Sequence, residues 1–179
     1  MSATNTGAKF KYNLAGRTSG ILRSFIIGDT KTITIGDFVH LEAGYVDPVD
    51  ADEKILGVVV GITDKNGINM DNSKVTKEGT WTSSTQTVVT DSDNTSSEQV
   101  RALIDVDPFS VWSVEPDSTI GGTTGSNLAG YYTDLADEDQ VDENAIHQTT
   151  VYQLFTWGLD PEDSTRGLYS IAEHQIWGA

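Results

Sequence analysis

The chain of 179 residues has no cysteine. That removes disulfides, thiolate metal sites and cysteine nucleophiles together, and leaves the redox compartment open. No stretch approaches the roughly 20 apolar residues that a membrane helix requires. The opening MSATNTGAKFKYNLAG lacks the apolar segment of a secretory signal. The expectation from these absences is a soluble protein made in the cytoplasm. Bases are scarce too: 11 Lys and Arg stand against 27 Asp and Glu, giving a formal net charge of −16 and a pI near 4.2. Such a surface does not displace the counterions of DNA or RNA, so nucleic acid is disfavoured as a partner. It favours solubility at high concentration, and function in salt that screens the repulsion.

Motifs of chemistry are also thin. Serine is plentiful, yet no Gly-x-Ser-x-Gly elbow occurs. Gly121 to Gly125 fits neither the Walker pattern nor GxGxxG in a strand-to-helix setting, and reads as a surface loop. His40, His147 and His174 each fall in a predicted strand, with no HxH or HxxxH spacing, and read as satisfied strand histidines. The acidic run Asp134, Asp137, Glu138, Asp139, Asp142 and Glu143 offers oxygen ligands for a hard cation. Its spacing matches no ligand loop. Asp91-x-Asp93 begins like an EF-hand but continues Thr95-Ser96, with Ala102 at the twelfth position. Both read as solvated loops. With 27 acids, glycosidase-like carboxylate pairs arise by chance, so none is nominated.

What is present is a β pattern. Hydrophobic residues make up 37% of the chain, with 4 Trp, 6 Tyr and 5 Phe, enough for one sizeable core despite a mean hydropathy of −0.30. The 17 glycines and the Ser/Thr/Asp load supply the turns an all-β fold needs. Thr32 to Thr63 sets the architecture. Ile33 and Ile35 alternate with threonines, Gly36-Asp37 breaks the run, Phe38, Val39 and Leu41 begin another, and Gly44 turns the chain into Tyr45-Val46. After the acidic loop Asp47 to Glu53 comes Ile55-Leu56-Gly57-Val58-Val59-Val60-Gly61-Ile62, too apolar for a surface strand. It reads as a central strand covered on both faces.

Further along, Asn66-Gly67 predicts a hairpin that returns the central strand. Ile68 to Gly79 reads as loop and Thr80 to Thr90 as one largely exposed strand. Gln99 to Asp107 alternates Val100, Ala102, Ile104 and Val106 against Arg101, Leu103, Asp105 and Asp107, an amphipathic strand. Phe109 to Val114 is another, and Leu128 to Tyr132, His147 to Gly158 and Gly167 to Trp177 are strand-like. Leu159 to Arg166 reads as a link too long for a tight turn, with Asp160 capping a helical turn that Pro161 begins. The C-terminus is expected to be locked into a sheet. The prediction is an all-β small barrel or sandwich with long polar loops and an extended N-terminal arm. It divides into a basic arm and first strand (1–28) and a single acidic β domain (29–179).

The arm is the feature with the clearest functional content. Met1 to Gly28 holds Lys9, Lys11, Arg17 and Arg23 and no acid, leaving the other 7 bases against all 27 acids. A basic segment ahead of an acidic body reads either as a frayed terminus with ordinary charges or as a segment held by an acidic surface, on its own body, a neighbouring subunit or another protein. Phe10, Tyr12 and Leu14 alternate with Lys9, Lys11 and Asn13, so strand addition to a partner sheet is conceivable. Lys9, Phe10, Lys11, Tyr12, Arg17 and Arg23 are the candidate partner-binding residues. The tryptophans Trp81, Trp112, Trp157 and Trp177 serve either as core and interface anchors or as a sugar-stacking platform.

The stretch Ile35-Gly36-Asp37-Phe38-Val39-x-Leu41, its glycine turn, acidic loop and Ile55-Leu56-Gly57-Val58-Val59 together resemble the capsid decoration (cement) proteins of tailed bacteriophages. Asp105 to Val111, Trp157 to Asp163 and Gln175 to Gly178 look like phage structural proteins more diffusely. The resemblance implies a non-enzymatic role with no catalytic residues, cofactor or metal. Many copies, favoured as trimers, would bind the major capsid protein on the exterior of the virion and staple its subunits. The alternative is a carbohydrate-binding β-sandwich module, using tryptophan and acidic loops.

Overall fold

The computed structural model describes residues 7–50, 53–73, 79–117, 129–142 and 152–176. Fifteen strands occur among them. The first eight are β1 (Lys9–Asn13), β2 (Leu22–Ile26), β3 (Thr32–Thr34), β4 (Phe38–Glu42), β5 (Tyr45–Pro48), β6 (Gly57–Thr63), β7 (Thr80–Thr82) and β8 (Thr87–Val89). There follow β9 (Arg101–Asp105), β10 (Ser110–Pro116), β11 (Tyr132–Thr133), β12 (Leu135–Asp137), β13 (Gln140–Val141), β14 (Leu154–Asp160) and β15 (Asp163–Ile171). The all-β prediction holds.

Alternation in the sequence rolls one sheet into a barrel. Its order is β2-β9-β6-β4-β5, each pair antiparallel, and a parallel bridge between Ile27 and Val46 brings the two edges together. Ile27, Val39, Val46, Val59, Ile62, Ala102 and Ile104 fill the interior. A three-stranded sheet, β3-β8-β7, closes one end, where the cross-strand row Ile33, Val88 and Trp81 faces the same core. A second sheet runs β11-β14-β15-β10-β13-β12, with β1 also paired antiparallel to β10. Trp112, Val114, Leu154, Tyr169 and Ile171 of that sheet pack on Phe38, Val49, Ile55 and Val58 of the barrel.

The central strand shows why its sequence is apolar throughout. Val59 and Ile62 point into the barrel while Val58 and Val60 pack toward the second sheet, so β6 is covered on both faces as expected. A bulge at Val60 resets the alternation before Gly61. Gly57 is required: a Cβ there would lie 2.2 Å from the Asp105 carbonyl oxygen. Gly36 has φ 107° and passes against the Gly7 backbone, a left-handed position that favours glycine.

Several expectations are corrected. The Asn66-Gly67 turn forms, closed by Asp64 Oδ1 accepting from the Asn66 and Ile68 amides (2.8 and 2.9 Å). No returning strand follows beyond the single Thr63–Asn69 bridge, because the chain enters a 3₁₀ turn, Met70–Asn72, that tucks Met70 under the barrel. Thr80 to Thr90 is two strands rather than one, since the polar Ser83 to Gln86 makes a turn with Gln86 at φ 57°. The link Leu159 to Arg166 is a hairpin: Asp160 pairs directly with Asp163, and Thr165 and Arg166 belong to β15. Asp160 does cap the turn, accepting from the Glu162 amide at 3.0 Å. The acidic run through Asp142 carries the β12–β13 hairpin, anchored by buried Leu135 and Val141, instead of an open loop. The strand expected from Gly167 to Trp177 ends at Ile171, and beyond it the last described residues are tied to the body by the isolated bridge between His174 and Ile55. Gly121 to Asn127, Glu143, His147 and Trp177 lie outside the described residues.

Candidate interface surface

The N-terminal segment lies along its own sheet. β1 adds to β10, with Lys9 opposite Ser113 and Phe10 opposite Trp112, and an irregularity between Phe10 and Tyr12 turns Lys11 out of the ladder. The Lys11 ammonium sits 2.8 Å from both Asp160 and Glu162. Arg17 Nη1 donates to Asp107 Oδ2 at 2.6 Å, beside Asn13 Nδ2 at 2.8 Å. Of the acidic surfaces open to the basic segment, its own body engages these two bases. Arg23 is not brought near them: it lies in barrel strand β2, and its guanidinium donates to the Leu22 carbonyl. Lys9 is exposed.

The aromatic residues of the segment remain at the surface. Phe10 meets buried Trp112 edge-on (5.5 Å, 76°) yet stays 36% exposed, with Tyr12 and Leu14 more so. A second aromatic group occupies the opposite edge of the sheet, which the sequence reading missed except for Trp157. Tyr132 of β11 lies across from Phe155 of β14, their rings 5.4 Å apart, and Phe155 meets Trp157 at 4.9 Å. Tyr152 completes the group at 4.6 Å from Tyr132. Tyr132 and Trp157 are exposed, and Trp157 Nε1 donates to Ser170 Oγ at 3.0 Å, which fixes its ring. The alternation Phe155-x-Trp157 was the available signal, because alternate residues of a strand share one face.

The described tryptophans do not converge. Trp112 is in the core between the layers, and Trp81 packs on the barrel end with its indole N–H on Asp71. Only Trp157 belongs to the exposed group, so a platform built from several tryptophans is not formed among the described residues.

Buried charge is arranged with care around this surface. Arg166, 1% exposed, donates to Ser113 Oγ and O, to the Gly7 carbonyl (2.7 Å) and to Glu115 (2.7 Å), clasping β15, β10 and the incoming N-terminal segment. Burial would raise the Asp160 carboxyl, but Lys11, the Ser113 hydroxyl and the Glu162 amide outweigh it and hold the pKa at about 2. Asp37 goes the other way. Burial raises it to about 7 despite the Thr34 amide, with Asp139 and Asp137 of the β12–β13 turn adding repulsion. His174 is lowered to about 4 by burial, against the Val106 carbonyl and the Asp107 carboxylate. Among the described residues one set of side chains has metal-ligand proximity, His40, Glu42 and Asp47, and the acidic run 134–142 supplies none.

Comparison with protein-family models, with curated proteins and with solved structures finds no match for this chain. No helix among the described residues is long and apolar enough to cross a membrane.

Proposed function

We propose that the chain is a non-enzymatic virion structural protein that decorates and stabilises a phage capsid by bridging capsid subunits, in several copies per contact. One observation carries the reading. The seven-stranded sheet exposes aromatic side chains at two separated edges, Phe10 and Tyr12 on β1 and Tyr132 and Trp157 on β11 and β14, with half-buried Phe155 between the last two. Aromatic residues that stay exposed are typical anchors of protein interfaces. Two such groups on one rigid sheet suit a bridge, whereas a single-ligand module needs one. The acids that remain exposed keep free copies apart.

The test is co-sedimentation with shells assembled from the major capsid protein of the same virion. The intact chain should bind in fixed stoichiometry and raise the temperature at which the shells break. Tyr12→Ser and Trp157→Ser should each keep part of the binding and lose the stabilisation, since each removes one of two attachments. Stabilisation unaffected by either change would overturn the bridge. A second reading, carbohydrate binding, rests on the hydrogen-bonded, exposed Trp157. Its neighbours meet edge-on rather than coplanar (70° and 72°), a poor floor for a sugar ring. Specific signal on a glycan array that disappears in Trp157→Ser would replace the capsid reading with that one.

A further inference from the structure

The β4–β5 hairpin assembles a site that its sequence spacing hides. Ala43 and Gly44 both have positive φ (50° and 92°), a two-residue type I′ turn that pairs Glu42 with Tyr45 and His40 with Asp47. His40 and Glu42 therefore share a face as alternate residues of β4, and Asp47 joins them from across the pair. One ligand atom from each of the three lies within 4.8 Å of the others. The histidine expected to be satisfied is not. His40 is 8% exposed, and its Nε2 is buried with no hydrogen-bond partner among the described residues. Its other nitrogen, Nδ1, is engaged by Glu53 Oε2. That carboxylate is itself fixed, since the same Oε2 accepts from the Asp50 amide at 2.9 Å and the Glu53 carbonyl accepts from buried Gln153 Nε2 at 2.8 Å.

We propose that His40, Glu42 and Asp47 form a binding site for a zinc-class divalent cation, with Glu53 orienting the imidazole. The parts match the chemistry of such sites. A carboxylate on Nδ1 fixes the tautomer and leaves the lone pair on Nε2 to bind a metal, as in carboxylate–histidine–metal arrangements. An imidazole with two carboxylates is a borderline donor set that suits zinc over calcium, which asks for six or more oxygens. A cation also removes a defect, because a buried nitrogen with no partner is costly. Lys31 now holds the place of positive charge: its ammonium is 2.7 Å from Asp47 Oδ2, and Asp47, then Glu42 and Asp50, raise its pKa. A metal ion would displace it from Asp47. Bound there, the ion ties the β4–β5 hairpin to the loop that carries Glu53. This assignment is independent of the capsid reading.

The test titrates zinc chloride into the full-length protein by calorimetry, with long-range proton–nitrogen spectra of its histidines. Binding of one ion per chain, with the His40 Nε2 resonance shifting, is expected. At a free zinc concentration of a hundred times Kd the melting temperature should rise by roughly 5–10 °C. Glu42 is exposed, so Glu42→Gln leaves the fold intact and should weaken binding about tenfold. His40→Gln should abolish it. Lys31→Met should tighten it up to about fivefold, the worth of a competing surface ion pair. No stoichiometric zinc binding, equal binding by Glu42→Gln, a shift at His147 or His174 with His40 unmoved, or calcium binding as tightly as zinc would each overturn the assignment.

Discussion

The barrel interior and the seam between barrel and second sheet are both buried, yet they are held by different means. The barrel is filled almost wholly by aliphatic side chains from alternating positions of its strands, with Met70 below. The seam holds Phe38, Trp112 and Tyr169 and is bordered by buried polar groups: Arg166, Ser113, Gln153, Asp160 and His174. Aliphatic packing is non-directional and adjusts to small changes of volume. A buried guanidinium or amide works only while its partners stay in place, and leaving one unpaired carries the full cost of its desolvation. The difference predicts where the molecule breaks first.

The largest effect is expected at the clasp. Arg166→Met removes the donor to Gly7 O, Ser113 O and Ser113 Oγ, while Glu115, 35% exposed, can return to water. We expect a loss of about 4 kcal/mol in urea unfolding. Because Arg166 holds the incoming chain at Gly7, limited proteolysis should cut between Gly7 and Asn13 before the barrel opens. A loss under about 1 kcal/mol, with the segment still protected, would show that the seam behaves like the barrel.

The next effect separates two titrations that oppose each other. Asp37, raised to about 7, binds its proton more tightly folded than unfolded, so its stabilisation is present at low pH and declines as pH rises from about 4 to 7. Asp105, also raised by burial, has the same sign. His174, lowered to about 4, has the opposite one: stability is full above about 6.5 and declines as pH falls toward 4. The intact chain should therefore show a shallow profile between pH 4.5 and 6.5. Asp37→Asn should uncover the His174 slope, opposed only by Asp105, with stability falling on acidification by at most about 2–3 kcal/mol over that window. His174→Gln should uncover the reverse slope. Parallel profiles for the intact chain and both variants would refute the assignment of these groups.

How much of this was legible in the sequence follows the same division. The barrel strands were readable because each alternates or runs apolar between turn residues, and local periodicity suffices to place Ile33, Val39, Val59 and Ile104 inside. The seam depends on contacts between residues far apart in the chain. Arg166 lay in what reads as a loop, since Asp160-Pro161-Glu162-Asp163 carries helix-start signals although a hairpin forms there. Asp105 and Asp107 were read onto a solvent face, yet both are buried, Asp107 under Asn13 and Arg17. The charge asymmetry of the first 28 residues was visible, but which acids answer it was not. The His40 site depended on register: the turn at Gly44 was seen, but the pairing of His40 with Asp47 needs the two-residue turn that Ala43 completes.

Lys11→Met probes the seam at its rim. It leaves Asp160, whose side chain is 1% exposed, without its cation, while Glu162 remains in solvent. The variant should be less stable than the intact chain at neutral pH. The loss should shrink as pH falls toward 2, where the carboxyl takes up a proton and no longer needs the ammonium. A loss that is the same at pH 2.5 and pH 7 would assign the effect to the Lys11 methylenes instead of the ion pair.

The smallest effect belongs to the barrel. Ile104→Val deletes one methyl from a fully buried side chain that faces the barrel core. The cost should be about 1 kcal/mol, because neighbouring aliphatic groups relax toward the gap and no polar atom loses a partner. Proteolysis of the Gly7–Asn13 segment should keep its original rate, in contrast to Arg166→Met. If Ile104→Val costs about 3 kcal/mol or more, or releases the N-terminal strand, the barrel interior is as exacting as the seam. The contrast between an adaptable aliphatic core and a directional polar seam would then fail at its adaptable end.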